Sequence, residues 1–125
     1  MKKTISTKNA PMAIGPYSQA IEANGFIFVS GQIPINPATG EFVPGGVKEQ
    51  TAQVFLNIKA ILGEAGLTVN NIVKTTVLLS DIADFAAVNE VYAQQFCSDF
   101  PARSAFAVKD LPKGALIEIE VIAVR

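Results

Sequence analysis

The chain has 125 residues, half of them hydrophobic, with a formal net charge of -1 and no histidine. This length fits one domain spanning residues 1–125, and so apolar a composition excludes disorder while implying more buried surface than a small monomer usually has. Lysines and arginines scattered along the chain offer no basic stripe to phosphates, and the lack of histidine removes histidine-based triads, histidine metal sites and simple imidazole acid–base work.

The opening segment, MKKTISTKNAPMAIGPY, has a basic head but no continuous apolar core behind it, so it does not read as an export signal. No run of about 18 apolar residues predicts a membrane span. A short strand is expected at Thr4–Ser6. YSQAIEANGFIFVSGQIPI then reads as a β-hairpin turning at Asn24-Gly25, a pair that tolerates the positive φ of a tight primed turn. The Pro- and Gly-dense INPATGEFVPGG marks a surface loop. From Val47, residues Thr51, Val54, Phe55, Ile58, Ile61, Leu62 and Ala65 recur at helical spacing, and Gly66 sits where a left-handed cap ends the helix. IVKTTVLLS is β-branched and strand-like. Asp81 or Asp84 can cap a second helix carrying Phe85, Val88, Tyr92 and Phe96 on one face. Cys97, the only cysteine, has no partner for an internal disulfide or a metal cluster, and near a helix end it reads as inert packing in a reducing cytoplasm. After Pro101, strands at about Arg103–Val108 and Ala115–Val124 are joined by KDLPKG, whose Pro and Gly suit a reversal.

The order β-β-β-α-β-α-β-β predicts an α+β, two-layer fold, with a mixed six-stranded sheet and two helices on one face. Several strands are nonetheless apolar on both faces: Phe26 and Phe28 oppose Ile27 and Val29, and Leu116 and Ile122 oppose Ile117, Ile119 and Val121. The face without helices would expose a large apolar patch, and self-association is the natural remedy.

Two carboxylates interrupt the last strand. Strand alternation sends Glu118 and Glu120 to the face of Leu116, Ile122 and Val124. A lone ionised carboxylate in such a run is costly, so each implies a compensating partner, a cleft or an edge, and a structural ion pair fits as well as catalysis. On its strand Arg103 shares a face with the small Ala105 and Ala107, which leaves room for a ligand beside the guanidinium; a surface salt bridge fits too.

Five segments, IGPYSQA, SGQIP, NEVYAQQF, PARSAF and IEIEVIAV, fall in the order seen in the RidA/YjgF family of reactive-intermediate deaminases, which this chain resembles nearly end to end. That resemblance implies a chorismate-mutase-like fold, a homotrimer with clefts between subunits, and hydrolysis of 2-imino or enamine acids such as 2-aminoacrylate to 2-keto acids and ammonia, without metal or organic cofactor. It implies roles as well. Arg103 would grip the substrate carboxylate, Glu118 would hold and activate water, and Tyr17 would sit at the cleft able to donate a hydrogen bond or proton. Ser30 and Gly31 would line the cleft and Asn89 would reach it. Ala105 departs from the pattern, since many members carry cysteine there. Glu120 stays a structural carboxylate facing an interface or a basic neighbour. The expected partners are small 2-imino and 2-keto acids and further copies of the chain, with neither nucleic acid nor membrane. A non-catalytic trimer that binds small carboxylic acids, or a regulatory partner of another protein, is the alternative.

Overall fold

The computed structural model describes residues 1–125, and its architecture follows from which strand faces are apolar. The strands are β1 (Lys3–Ile5), β2 (Ala20–Ala23), β3 (Phe26–Gln32), β4 (Ile35–Asn36), β5 (Glu41–Phe42), β6 (Ile72–Leu79), β7 (Ala102–Ala107) and β8 (Ile117–Val124). The helices are α1 (Val47–Glu64), before β6, and α2 (Phe85–Gln94), between β6 and β7. Six strands form one sheet in the order β1-β2-β3-β8-β6-β7, and β4 and β5 pair separately as a small ribbon. All neighbours in the large sheet are antiparallel except β6 and β7, which run parallel. A parallel pair cannot be closed by a tight turn, and α2 supplies the crossover.

Ile27 and Val29 of β3, Val77 and Leu79 of β6, and Ile117, Ile119, Val121 and Ala123 of β8 point to the helices and join Val54, Phe55, Ile58, Ile61, Leu62, Val88 and Tyr92 in one core. The opposite face has no helix. Phe26 and Phe28 stay 43% and 46% exposed there, their rings stacked at 6.2 Å. The α+β arrangement expected from the sequence, a mixed six-stranded sheet with two helices on one face, is the one observed.

Local signals largely hold. The turn at Asn24-Gly25 takes positive φ at both residues. Gly66, at φ 77°, lets Leu67 N–H return to the Leu62 carbonyl at 2.8 Å, ending α1. At its other end the Glu49 carboxylate accepts the Gly46 N–H at 2.8 Å. Four details differ from expectation. INPATGEFVPGG is not all loop, because β4 and β5 pair within it. KDLPKG reverses the chain, yet β7 and β8 are not neighbours, since β6 lies between them. Asp81 caps a short 3₁₀ turn ahead of α2, accepting from Ala83 N–H at 2.9 Å, and Asp84 makes no side-chain cap. Finally, α2 ends at Gln94, so Phe96 turns into the core from beyond the helix while Cys97 faces solvent instead of packing.

Phe55 is fully buried and meets Tyr92 and Phe96 edge-on at 5.6 and 6.0 Å, linking α1 to α2. Truncation to alanine removes this volume from a packed core, so Phe55→Ala should lower stability by about 3–5 kcal/mol. Urea unfolding at fixed chain concentration measures it.

Candidate functional site

Glu118 lies on the helix-free side of the sheet, opposite Leu78 of β6. Its seat is made by β3. The register of β3 on β8 shifts between Val29 and Gln32, and Gly31 falls within that irregularity. A Cβ at Gly31 would lie 2.9 Å from Glu118 Cδ and 3.2 Å from its Cγ, and closer still to Oε2. Only glycine lets the carboxyl lie against the strand, which gives the Ser-Gly pair a steric purpose.

The carboxyl faces a cavity of about 340 Å³ whose walls include Tyr17, Gln19, Gly31, Ile33, Ile35 and Lys113. Burial raises the pKa of Glu118, and the neighbouring Glu120 raises it further. No cation forms an ion pair with Glu118 within the chain, where the ion pairs are Lys48–Glu90 and Arg125–Glu22. The structural ion pair considered for Glu118 and Glu120 is therefore absent from the single chain. Glu120 is exposed, across from Thr76, in a groove that also includes Phe28, Ser30 and Ile122. Tyr17, 52% exposed, borders both the Glu118 cavity and this groove. The Ser30 hydroxyl donates to the Ser18 carbonyl at 2.6 Å and its N–H to the Gln19 carbonyl at 2.9 Å, pinning the loop that carries Tyr17.

Arg103 lies elsewhere. It pairs with Thr75 in the register of β7 on β6, and Thr75 is fully buried on the helix side. Its guanidinium donates from Nη1 to Asn89 Oδ1 at 2.8 Å and lies over the rings of Tyr92 and Phe85, with Cζ 4.8 and 5.2 Å from their centroids. Arg103, Asn89, Tyr92 and Phe100 border a second cavity of about 330 Å³. Tyr17, Gly31 and Glu118 thus gather at one cavity, and Arg103 and Asn89 at another on the opposite face of the sheet; no cavity contains both sets. Ala105, two residues further along β7, packs against the core on the same face as Arg103.

Several polar side chains that the sequence reading passed over hold these loops. Gln19, 3% exposed, accepts Thr7 N–H at 2.7 Å and donates to the Pro11 carbonyl at 2.7 Å. Gln50 accepts Leu116 N–H at 2.9 Å, two residues before Glu118, and Asn57 donates to the Ile33 and Ile35 carbonyls at 3.2 and 3.0 Å. Gln50 stands one turn before Val54 and Asn57 one turn before Ile61, so a polar residue inside the apolar stripe was the available signal.

A family model described as Endoribonuclease L-PSP matches residues 7–125. The chain belongs to this family, the RidA/YjgF proteins. A RutC family protein of Pyrococcus horikoshii is 58% identical over 123 residues, 98% of either chain. The 2-iminobutanoate/2-iminopropanoate deaminase of Capra hircus is 54% identical over all of this chain and 91% of its own. Among solved structures, YyfA of the Rid family from Yersinia pestis superposes with a TM-score of 0.97 at 55% identity over the full length of both chains. No helix of this RidA/YjgF chain is long and apolar enough to cross a membrane.

A carboxyl whose pKa is raised by folding contributes stability that is complete below its ordinary value of 4.5 and is lost as pH rises through the raised value. Glu118→Gln should therefore be more stable than the native chain at pH 7, by less than about 1 kcal/mol for a half-buried, solvent-screened group. The gap should close on acidification towards pH 4.5, as read from urea midpoints across pH.

Proposed function

We propose that the protein is a cofactor-independent cytoplasmic deaminase that hydrolyses 2-imino acids and their enamine tautomers, such as 2-aminoacrylate, to 2-keto acids and ammonia. The observation that carries the reading is the seat of Glu118: a carboxyl with no ion-pair partner in its own chain, half-buried beside Gly31 at a mostly apolar cavity. Such a group, with its basicity raised, suits taking a proton from water near neutral pH. Relatives 50–54% identical over the full chain bear the name 2-iminobutanoate/2-iminopropanoate deaminase.

In this reading Arg103 binds the substrate carboxylate through two parallel N–H donations. Glu118 accepts a proton as water oxygen bonds to the imine carbon, and the C=N π electrons pass to nitrogen, which is protonated. Protonated Glu118 then returns its proton to the carbinolamine nitrogen, the C–N bond breaks with its electron pair leaving on ammonia, and the hydroxyl releases its proton to water as C=O forms, leaving the keto acid. With an enamine, the Tyr17 phenol would deliver a proton to carbon first. Gly31 and Ser30 shape the wall and Asn89 steadies the guanidinium. Much of the acceleration comes from positioning.

The reading requires a second copy of the chain, because Arg103 and Glu118 border separate cavities on opposite sheet faces. A homotrimer, with each site completed by a neighbour, also gives Phe26, Phe28 and Ile122 a surface to leave water against. Light scattering during size-exclusion chromatography should report about three times 13.2 kDa at micromolar concentration, as for an obligate assembly. The family description suggests ribonuclease action, but the net charge is -1 and the helix-free face presents apolar side chains and carboxylates that repel phosphate.

2-Aminoacrylate generated by a dehydratase should disappear faster with the protein present, and the rate should fall as pH drops below the raised pKa of Glu118. Arg103→Lys should reduce the rate about tenfold or more, since an ammonium cannot reproduce the planar two-point grip worth about 1.5–3 kcal/mol. No acceleration by the native chain, together with small-carboxylate binding that survives Glu118→Gln, would instead identify a binder.

A further inference from the structure

We infer that Tyr92, tied to Thr75, is a positioning residue that holds the Arg103 guanidinium ready for a carboxylate, an inference that rests on the reading of Arg103 as the carboxylate-binding residue. Arginine has much rotamer freedom to lose, and Arg103 is exposed on an edge strand, where such a side chain ordinarily samples many directions. Here it does not stand free. Phe85, Asn89 and Tyr92 are spaced four and three residues apart on α2, a single stripe of the helix, and all three meet this one guanidinium.

Tyr92 is the member of the stripe that is itself fixed. It is 5% exposed, its ring lies 5.6 Å from Phe55 and 5.2 Å from Phe96, and its hydroxyl shares a buried hydrogen bond with Thr75 Oγ1 at 2.8 Å. Thr75 is in turn the residue of β6 paired with Arg103. The contacts therefore close a loop: the strand pairing that sets the Cα of Arg103 also sets, through Thr75, the ring under its guanidinium. Asn89 accepts from one of the five guanidinium N–H groups and the rings contribute cation–π contact, so most of the donors remain for an incoming carboxylate. The ordering that a free arginine would undergo on binding is completed during folding instead.

The experiment compares KM, kcat and product inhibition by pyruvate for the native trimer, Tyr92→Leu, Tyr92→Phe and Arg103→Lys, each checked for assembly by light scattering. Tyr92→Leu should raise KM and the pyruvate inhibition constant together, by about three- to tenfold, which is what pre-ordering one rotamer-rich side chain is worth, with kcat changed much less. Tyr92→Phe keeps the ring, which Phe55 and Phe96 still hold from the core side, and should bring both constants close to native values, although its melting temperature falls because Thr75 loses its partner. A purely structural Tyr92 would lower the melting temperature in both variants and leave both constants unmoved. Should Tyr92→Leu fail to assemble, ¹⁵N relaxation of the Arg103 Nε–H in the native, unliganded protein decides: backbone-like rigidity supports the inference, and free rotation overturns it. Weakened binding in Arg103→Lys beside an unchanged, assembled Tyr92→Leu overturns the inference alone. Unchanged binding in Arg103→Lys overturns the carboxylate reading, and the inference with it.

Discussion

A six-stranded sheet with helices on one side only has a second face that must be dealt with, and most features of this molecule are consequences of that asymmetry. The helix side is closed by apolar packing of α1 and α2 on β3, β6 and β8. The other side carries Phe26, Phe28, Ile122 and Val124 beside Glu118 and Glu120. Apolar side chains there favour burial against another surface, while carboxylates resist losing water. Glu118 resolves the conflict by lying half-buried along a strand thinned at Gly31; Glu120 keeps its water.

The same asymmetry divides the chemistry. Side chains on the helix side rest against a rigid, close-packed core, and that is where the arginine is steadied by Asn89 and two rings. On the other side, strands β3 and β8 carry Gly31 and Glu118, and loops complete the walls. Those loops are held by buried amides from the interior: Gln19 gathers the segment before β2, Asn57 holds the carbonyls of Ile33 and Ile35, and Gln50 takes the N–H of Leu116. Each such amide satisfies backbone groups that would otherwise be left without partners near the core, so α1, through Gln50 and Asn57, helps set the shape of a cavity on the far side of the sheet.

What was legible in the sequence was what depends on near neighbours. The 3.6-residue stripe from Val47 to Ala65 marked α1, Asn24-Gly25 marked a turn, and strict alternation placed Glu118 and Glu120 on the face of Ile122 and Val124. Gly31 was expected only as a residue lining the cleft, not as the seat of Glu118, because that contact joins strands far apart in the chain. Likewise nothing local to PARSAF says that β7 pairs in parallel with β6, so neither the Thr75 partner of Arg103 nor the ring beneath it could be read there. Cys97 was misplaced for a smaller reason: α2 stops at Gln94, so the helical pattern no longer governs the residues beyond it, and Cys97 faces solvent while Phe96 stays buried. Segments matched in order across the whole chain indicated the family, which no single element could do.

The position of β8 bears on how the protein can be made. Last among the strands in chain order, it lies at the centre of the sheet between β3 and β6. Until its eight residues arrive, β1 to β3 form one fragment and β6 with β7 another, each with an unpaired inner edge of the kind that captures stray strands. Joining them demands contacts of large sequence separation, the kind that slows folding and makes it concerted. The keystone of the sheet and Glu118 arrive on the same short segment. A chain still emerging from the ribosome therefore cannot display a finished cavity, and a stalled or clipped product lacking β8 would be inert as well as unfolded.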